Sequence, residues 1–201
     1  TLSGANTQSG LTVNWGKVIV GGASGAAGSG GNLTVGPGTF SGMSAGNVLT
    51  FNNAAAAFAS RAGGVASNRS IILGGAAFEL IGNASTAVNE AIGTGNLQLN
   101  NAFNLVTLTN AGANIQLSAA TIQRNNQGTG LIRGVAGSAV SGLTLTTAVT
   151  ATGQTGANAT SNRGVIPWIL VDASASGAGT SFAVSETGAG LGIRPLNAAT
   201  E

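Results

Sequence analysis

Five carboxylates carry whatever acid–base chemistry this chain can perform: Glu79, Glu90, Asp172, Glu186 and Glu201. There is no Cys, His or Tyr, which excludes thiolate nucleophiles, Cys–His dyads, Ser–His–Asp triads and the usual zinc and haem sites. Hydrolases and lyases of polysaccharides use clustered carboxylates with Arg or Lys, sometimes with calcium. Here Glu79 and Glu90 stand 11 residues apart, and Asp172 and Glu186 stand 14 apart. A single Asp excludes serial calcium-binding repeats. The bland reading, that these are solvated charges keeping the molecule soluble, is the expectation. No catalytic residue, metal site or cofactor is assigned.

Binding chemistry has few other carriers. Trp15 and Trp168 could each stack on a sugar ring, although a lone Trp more often packs a coil end or a loop. Arg133 and Arg163 flank the longest polar spacer and are expected to hydrogen-bond exposed carbonyls at its base. The Gly-rich run Gly21 to Gly31 has Gly-x-x-Gly spacings, but no Lys follows to hold phosphate, so it reads as a flexible turn. Four Asn-x-Ser/Thr triplets, at Asn32, Asn68, Asn83 and Asn158, match the chance expectation of about four for this composition and carry no information.

Composition narrows the class further. Of 201 residues, 34 are Gly, only 6% are charged, and net charge is +2. The seven Lys and Arg are scattered rather than clustered, so nucleic acid is not an expected partner. Disorder is disfavoured by 43% hydrophobic residues and a mean hydropathy of +0.32. No run reaches the ~20 apolar residues of a membrane span, and no signal peptide opens at Thr1.

The elements that must position these residues are short strands. Leu11-Thr12-Val13, Leu33-Thr34-Val35, Leu49-Thr50-Phe51, Ile71-Ile72-Leu73, Leu97-Gln98-Leu99, Ile115-Gln116-Leu117 and Leu143-Thr144-Leu145 recur between turn residues. Six of the seven are apolar-polar-apolar, the period-2 pattern of a half-buried strand. Second strands are expected at Lys17 to Val20, Phe78 to Ile81 and Leu105 to Leu108. The first residues of the seven segments average 22 apart, which suggests a solenoid. The fold expected is all-β, a parallel β-helix of roughly nine coils of about 22 residues. It forms one domain over residues 1–201, with a possible loop excursion at 152–164. On such a coil the carboxylate separations are about half a turn, which points each pair toward different faces.

An antiparallel sandwich is the rival, but the hairpin dipeptides Asn-Gly and Asp-Gly are absent. Glycine has no three-residue period, which excludes collagen. Phe51 to Arg61 is the best helix candidate, with Asn52 and Asn53 as caps, although an irregular excursion is favoured there.

Leu2-Ser3-Gly4-Ala5-Asn6-Thr7-Gln8-Ser9-Gly10-Leu11-Thr12-Val13, continuing to Gly16-Lys17-Val18-Ile19-Val20, resembles the autotransporter-associated β-strand repeat. Gln8 stands where that pattern has an aromatic residue, and Trp15 where it has a small or polar one. Segments from Arg69 to Gln98 and from Leu131 to Pro195 resemble the Gly/Ala/Asn/Thr-rich passenger proteins that carry such repeats. Arg133-Gly134, Ile166-Pro167-Trp168 and Arg194-Pro195-Leu196 look like spacers within them.

The resemblance implies a secreted or surface-exposed protein of a Gram-negative bacterium, with right-handed β-helical repeats and no shared catalytic residues. It leads to three functional expectations. The first is a non-enzymatic scaffold: a stalk, fibre or filament subunit that self-associates end to end, since no capping helix is evident at either terminus. The second is an adhesin or glycan-binding module using Trp15, Trp168 and the loop Gly153 to Asn162. The third is a polysaccharide-degrading enzyme using Glu79, Glu90, Asp172 or Glu186.

Overall fold

The computed structural model describes residues 1–37, 40–41, 44–58, 60–63, 68–135, 141–145, 160–161, 164–185 and 192–201. The chain winds as a β-solenoid. The first winding contributes β1 (Leu11–Val13) and β2 (Gly16–Val20). The second contributes β3 (Leu33–Val35), a small hairpin of β4 (Phe40–Ser41) and β5 (Ser44–Ala45), then β6 (Asn47–Asn52). The third holds β7 (Ile71–Gly74), β8 (Ala77–Ile81) and β9 (Val88–Ala91). The fourth holds β10 (Leu97–Asn100), β11 (Phe103–Thr109) and β12 (Ile115–Ala119). The fifth holds β13 (Ile122–Asn125), β14 (Thr129–Arg133) and β15 (Ser141–Leu145), and β16 (Ile166–Asp172), β17 (Ser181–Ser185) and β18 (Gly192–Pro195) follow.

Three faces result. Face 1 is the parallel ladder β1-β3-β7-β10-β13. Face 2 is the parallel ladder β2-β6-β8-β11-β14-β16. Face 3 is β9-β12-β15, also parallel. At the far end the pairing changes sign. β17 runs antiparallel to β16, β18 antiparallel to β17, and β18 antiparallel to β15, so faces 2 and 3 merge into one eleven-stranded sheet.

The period-2 segments fold as strands because stacking lines their apolar positions up inside. Leu11, Leu33, Ile71, Leu97 and Ile122 form one inward row, and Val13, Val35, Leu73 and Leu99 the next. Val18, Leu49, Phe78, Val106 and Ile132 form a row on face 2. These rows meet in one continuous core, in which Phe51 and Phe78 pack edge to face with ring centroids 5.1 Å apart. Every such pair buries area at roughly 25 cal/mol per Å². All seven short segments, and the three second strands, lie within observed strands.

The coil count is corrected. About four turns of about 27 residues, not nine of 22, separate the first winding from the fifth. The register shows why the 22-residue estimate fails. Leu11, Leu33, Ile71 and Leu97 stand on face 1, but Leu49 is on face 2, and Ile115 and Leu143 are on face 3. Averaging their spacings mixed whole turns with part-turns. Along face 1 the successive turns take 22, 38, 26 and 25 residues, and the long one includes the β4–β5 hairpin.

The Phe51–Arg61 region is irregular after β6, as favoured. Asn52 Oδ1 accepts from the Ala54 amide and Asn53 Oδ1 from the Phe58 amide, yet no helix follows in the described residues. No helix among the described residues is long and apolar enough to cross a membrane.

Candidate functional site

The outward side of face 2 gathers three of the charged side chains singled out above, Glu79, Arg133 and Asp172. Register places Thr50, Glu79, Thr107, Arg133 and Asp172 in one row on consecutive strands. At about 4.8 Å per strand, Glu79 and Asp172 are on the order of 14 Å apart. Lys17 Nζ reaches Glu79 Oε2 at 2.7 Å, and the Thr50 hydroxyl donates to the same oxygen at 2.8 Å. Arg133 Nε donates to the Thr107 hydroxyl at 2.9 Å, and its Nη1 to the Gly177 carbonyl at 3.5 Å. Arg133 therefore does bond a carbonyl at a loop base, although the loop is the one after β16.

Asp172 is buried and works on that same loop. Its carboxylate accepts the amides of Ser174 at 2.9 Å and Gly179 at 3.0 Å. A Cβ at Gly177 would lie 2.0 Å from Asp172 Cγ, so the loop closes tightly over the acid. Beside this polar row runs an apolar one, Val48, Ala77, Leu105, Leu131, Leu170 and Phe182. Its middle is buried, while Leu170 and Phe182 are exposed.

The remaining candidates separate. Glu90 points inward from face 3, so Glu79 and Glu90 do face different ways, as their spacing implied. Glu201 is paired with Arg194 through both oxygens. Trp15 is 89% exposed at the corner before β2, and so does not pack on a loop, whereas Trp168 is half-buried against the core. Arg163, Glu186 and all but Thr160 and Ser161 of the Gly153 to Asn162 loop lie outside the described residues. Among the described residues, no three of His, Cys, Asp and Glu stand close enough to hold a metal ion.

Sequence reasoning missed the most heavily engaged charges. Arg61 and Arg69 are completely buried. Arg61 donates through Nε to Asn53 Oδ1 at 2.9 Å, through Nη1 to Gly25 O at 2.9 Å, and through Nη2 to Gly22 O and Ala56 O. Arg69 donates to the carbonyls of Gly31, Gly28, Ala62 and Ala27. The Gly21–Gly31 run is thus a gripped turn rather than a flexible one. Its glycines are required by close approach: a Cβ at Gly25 would sit 1.9 Å from Gly21 O, and one at Gly31 1.8 Å from Ser9 O.

Burial pulls both guanidinium groups below the ordinary arginine value, partly offset at Arg61 by the charge of Glu90. Burial also pushes the Glu90 carboxyl up to about 7, against the opposing effect of two backbone amides and Arg61. The available signal was compositional. In a chain so poor in charge, an Arg set among Ser, Ala and Gly beside a Gly-rich turn is placed to satisfy inward carbonyls.

No protein-family model, curated protein or solved structure matches this chain.

Proposed function

We propose that this chain is a non-enzymatic extracellular scaffold, a stiff solenoid that works as a stalk, spacer or fibre subunit on a bacterial surface. The observation that carries the reading is the pair of long parallel ladders over unbroken inward apolar rows. Such a body gains its rigidity from backbone pairing along its whole length and needs few charges to hold its shape. The carboxylates support it: Glu79, Glu90, Asp172 and Glu201 are each engaged in bonds that hold the fold. A polysaccharide-degrading role has less to draw on for that reason.

The finer features follow from the repeat resemblance. Winding is right-handed, as nearly all parallel crossovers are, and the chain belongs with secreted passenger-like repeats. Self-association proceeds along the ladder direction. Because β17 and β18 occupy the edges of β16 and β15, it runs through face 1, whose end strands β1 and β13 remain sheet edges.

Electron microscopy with light scattering of the purified chain is the test. Rods or filaments of uniform width support the reading, and a compact globular particle overturns it. A glycan-binding module is the second reading, favoured by the exposure of Trp15. Glycan-array binding that is lost on Trp15→Ala would replace the scaffold reading with this one.

A further inference from the structure

The two ends of the solenoid are built unlike each other. Among the described residues, the half-buried apolar side chains packed against the main core are Leu2, Leu11, Val18 and Trp168. The first three stand together at the β1–β2 end, where Leu2 bridges to Val20. Trp15, 89% exposed, lies at that end too.

β1 is also an open edge, paired on one side to β3. The Leu11 amide donates to the Asn32 carbonyl at 3.2 Å, and the Val13 carbonyl accepts the Gly36 amide at 2.9 Å. Both residues thus turn their backbone groups toward β3. Alternation then aims the N–H and C=O of Thr12 the other way, out of the sheet edge. From Thr1 to Gly16 there is no Pro and no charged side chain, so the usual guards of an edge strand are missing.

The far end is closed. β17 and β18 cover the edges of β16 and β15. On face 1, β13 sets Arg124 in the row that Val13, Val35, Leu73 and Leu99 fill beneath it. Arg124 is exposed, and its Nε donates to the Gly128 carbonyl at 3.0 Å. A strand laid on β13 would have to bury that guanidinium at the end of an apolar row, which is unfavourable.

We propose that a second copy of this chain docks on β1, edge to edge and antiparallel, so that two molecules join head to head about a two-fold axis at Thr12. The inference rests on the self-association reading above and narrows it, because a two-fold joint closes at two copies. Leu11-Thr12-Val13 suits such a joint. Reversal about Thr12 sets Leu11 against the partner's Val13 on the inner side, and Thr12 against the partner's Thr12 on the outer side. The two threonines exchange both backbone hydrogen bonds. No charged side chain on β1 repels its own copy. The product is a rod of doubled length with two closed ends, a spacer rather than a fibre.

Cysteine cross-linking of the whole chain tests the geometry, since the sequence has no Cys of its own. Thr12 is exposed on the outer surface, so its replacement leaves the core untouched. Under mild oxidation Thr12→Cys should form a covalent dimer, and Gln123→Cys on β13 should not. Thr12→Lys places like charges opposite each other and should weaken the dimer several-fold in sedimentation. Mixing it with Thr12→Glu should restore the dimer. Cross-linking only when the Thr12→Cys and Gln123→Cys chains are mixed, or species that grow beyond two, would overturn the head-to-head joint and leave self-association standing. A chain that stays monomeric at every concentration, with Thr12→Cys never cross-linked, overturns both.

Discussion

Arg69 Nη1 donates to the carbonyl of Gly28 at 2.8 Å, across 41 residues of sequence. With its other three bonds it satisfies carbonyls that strand pairing leaves open at this corner. Arg69→Met keeps much of the volume but orphans three buried carbonyls, of Ala27, Gly28 and Ala62, and the more exposed one of Gly31. It should cost about 3–5 kcal/mol in urea unfolding. Arg69→Lys should recover only part of this, because an ammonium cannot fan across four acceptors.

Glu90 sets a pH dependence of global stability. Its folded value of about 7 lies above the ordinary 4.5. The stabilising contribution is therefore complete below about pH 4.5 and is lost as pH rises through 7. Urea midpoints should fall over that range by an amount worth on the order of 3 kcal/mol at most. Glu90→Gln should flatten this part of the profile.

Two phenylalanines should respond very unequally to truncation. Phe78, buried edge to face on Phe51, should lose about 3–5 kcal/mol on replacement by Ala. Phe182, 47% exposed on the outer face of β17, should lose about 1 kcal/mol or less.

Glycine substitutions should separate by space and backbone angle. Gly31 has φ +56° and no room for a Cβ, so Gly31→Ala should cost more than about 2 kcal/mol. Gly4 has nothing within 4 Å, and Gly4→Ala should stay within about 0.5 kcal/mol of the parent. Thermal unfolding of both variants checks the contrast.

The strands were legible because a period of two is a local property. Leu97-Gln98-Leu99 points two residues in and one out whichever chain segment lies beneath it. The same locality hid the turn length. Nothing in Ile115-Gln116-Leu117 distinguishes face 3 from face 1, so its spacing from Leu97 could not be recognised as part of a turn. The antiparallel closure by β17 and β18 was equally hidden, since it depends on which edges lie free after the last winding. Of the site residues, the different facing of Glu79 and Glu90 was readable, although not as half a turn: they stand on the consecutive faces 2 and 3 of a longer coil. The shared row of Glu79 and Asp172 was not, because the long connection between β14 and β16 breaks the period.

Alternation of apolar and polar residues, with Gly and Asn between, determined by itself that this chain forms short stacked strands around a narrow core. The tertiary structure decided which strand lies on which face, how the far end closes, and that Arg61, Arg69 and Glu90 are internal. The reason is that side-chain direction follows from a residue's immediate neighbours, whereas a buried charge is tolerable only when distant segments bring it the dipoles it needs.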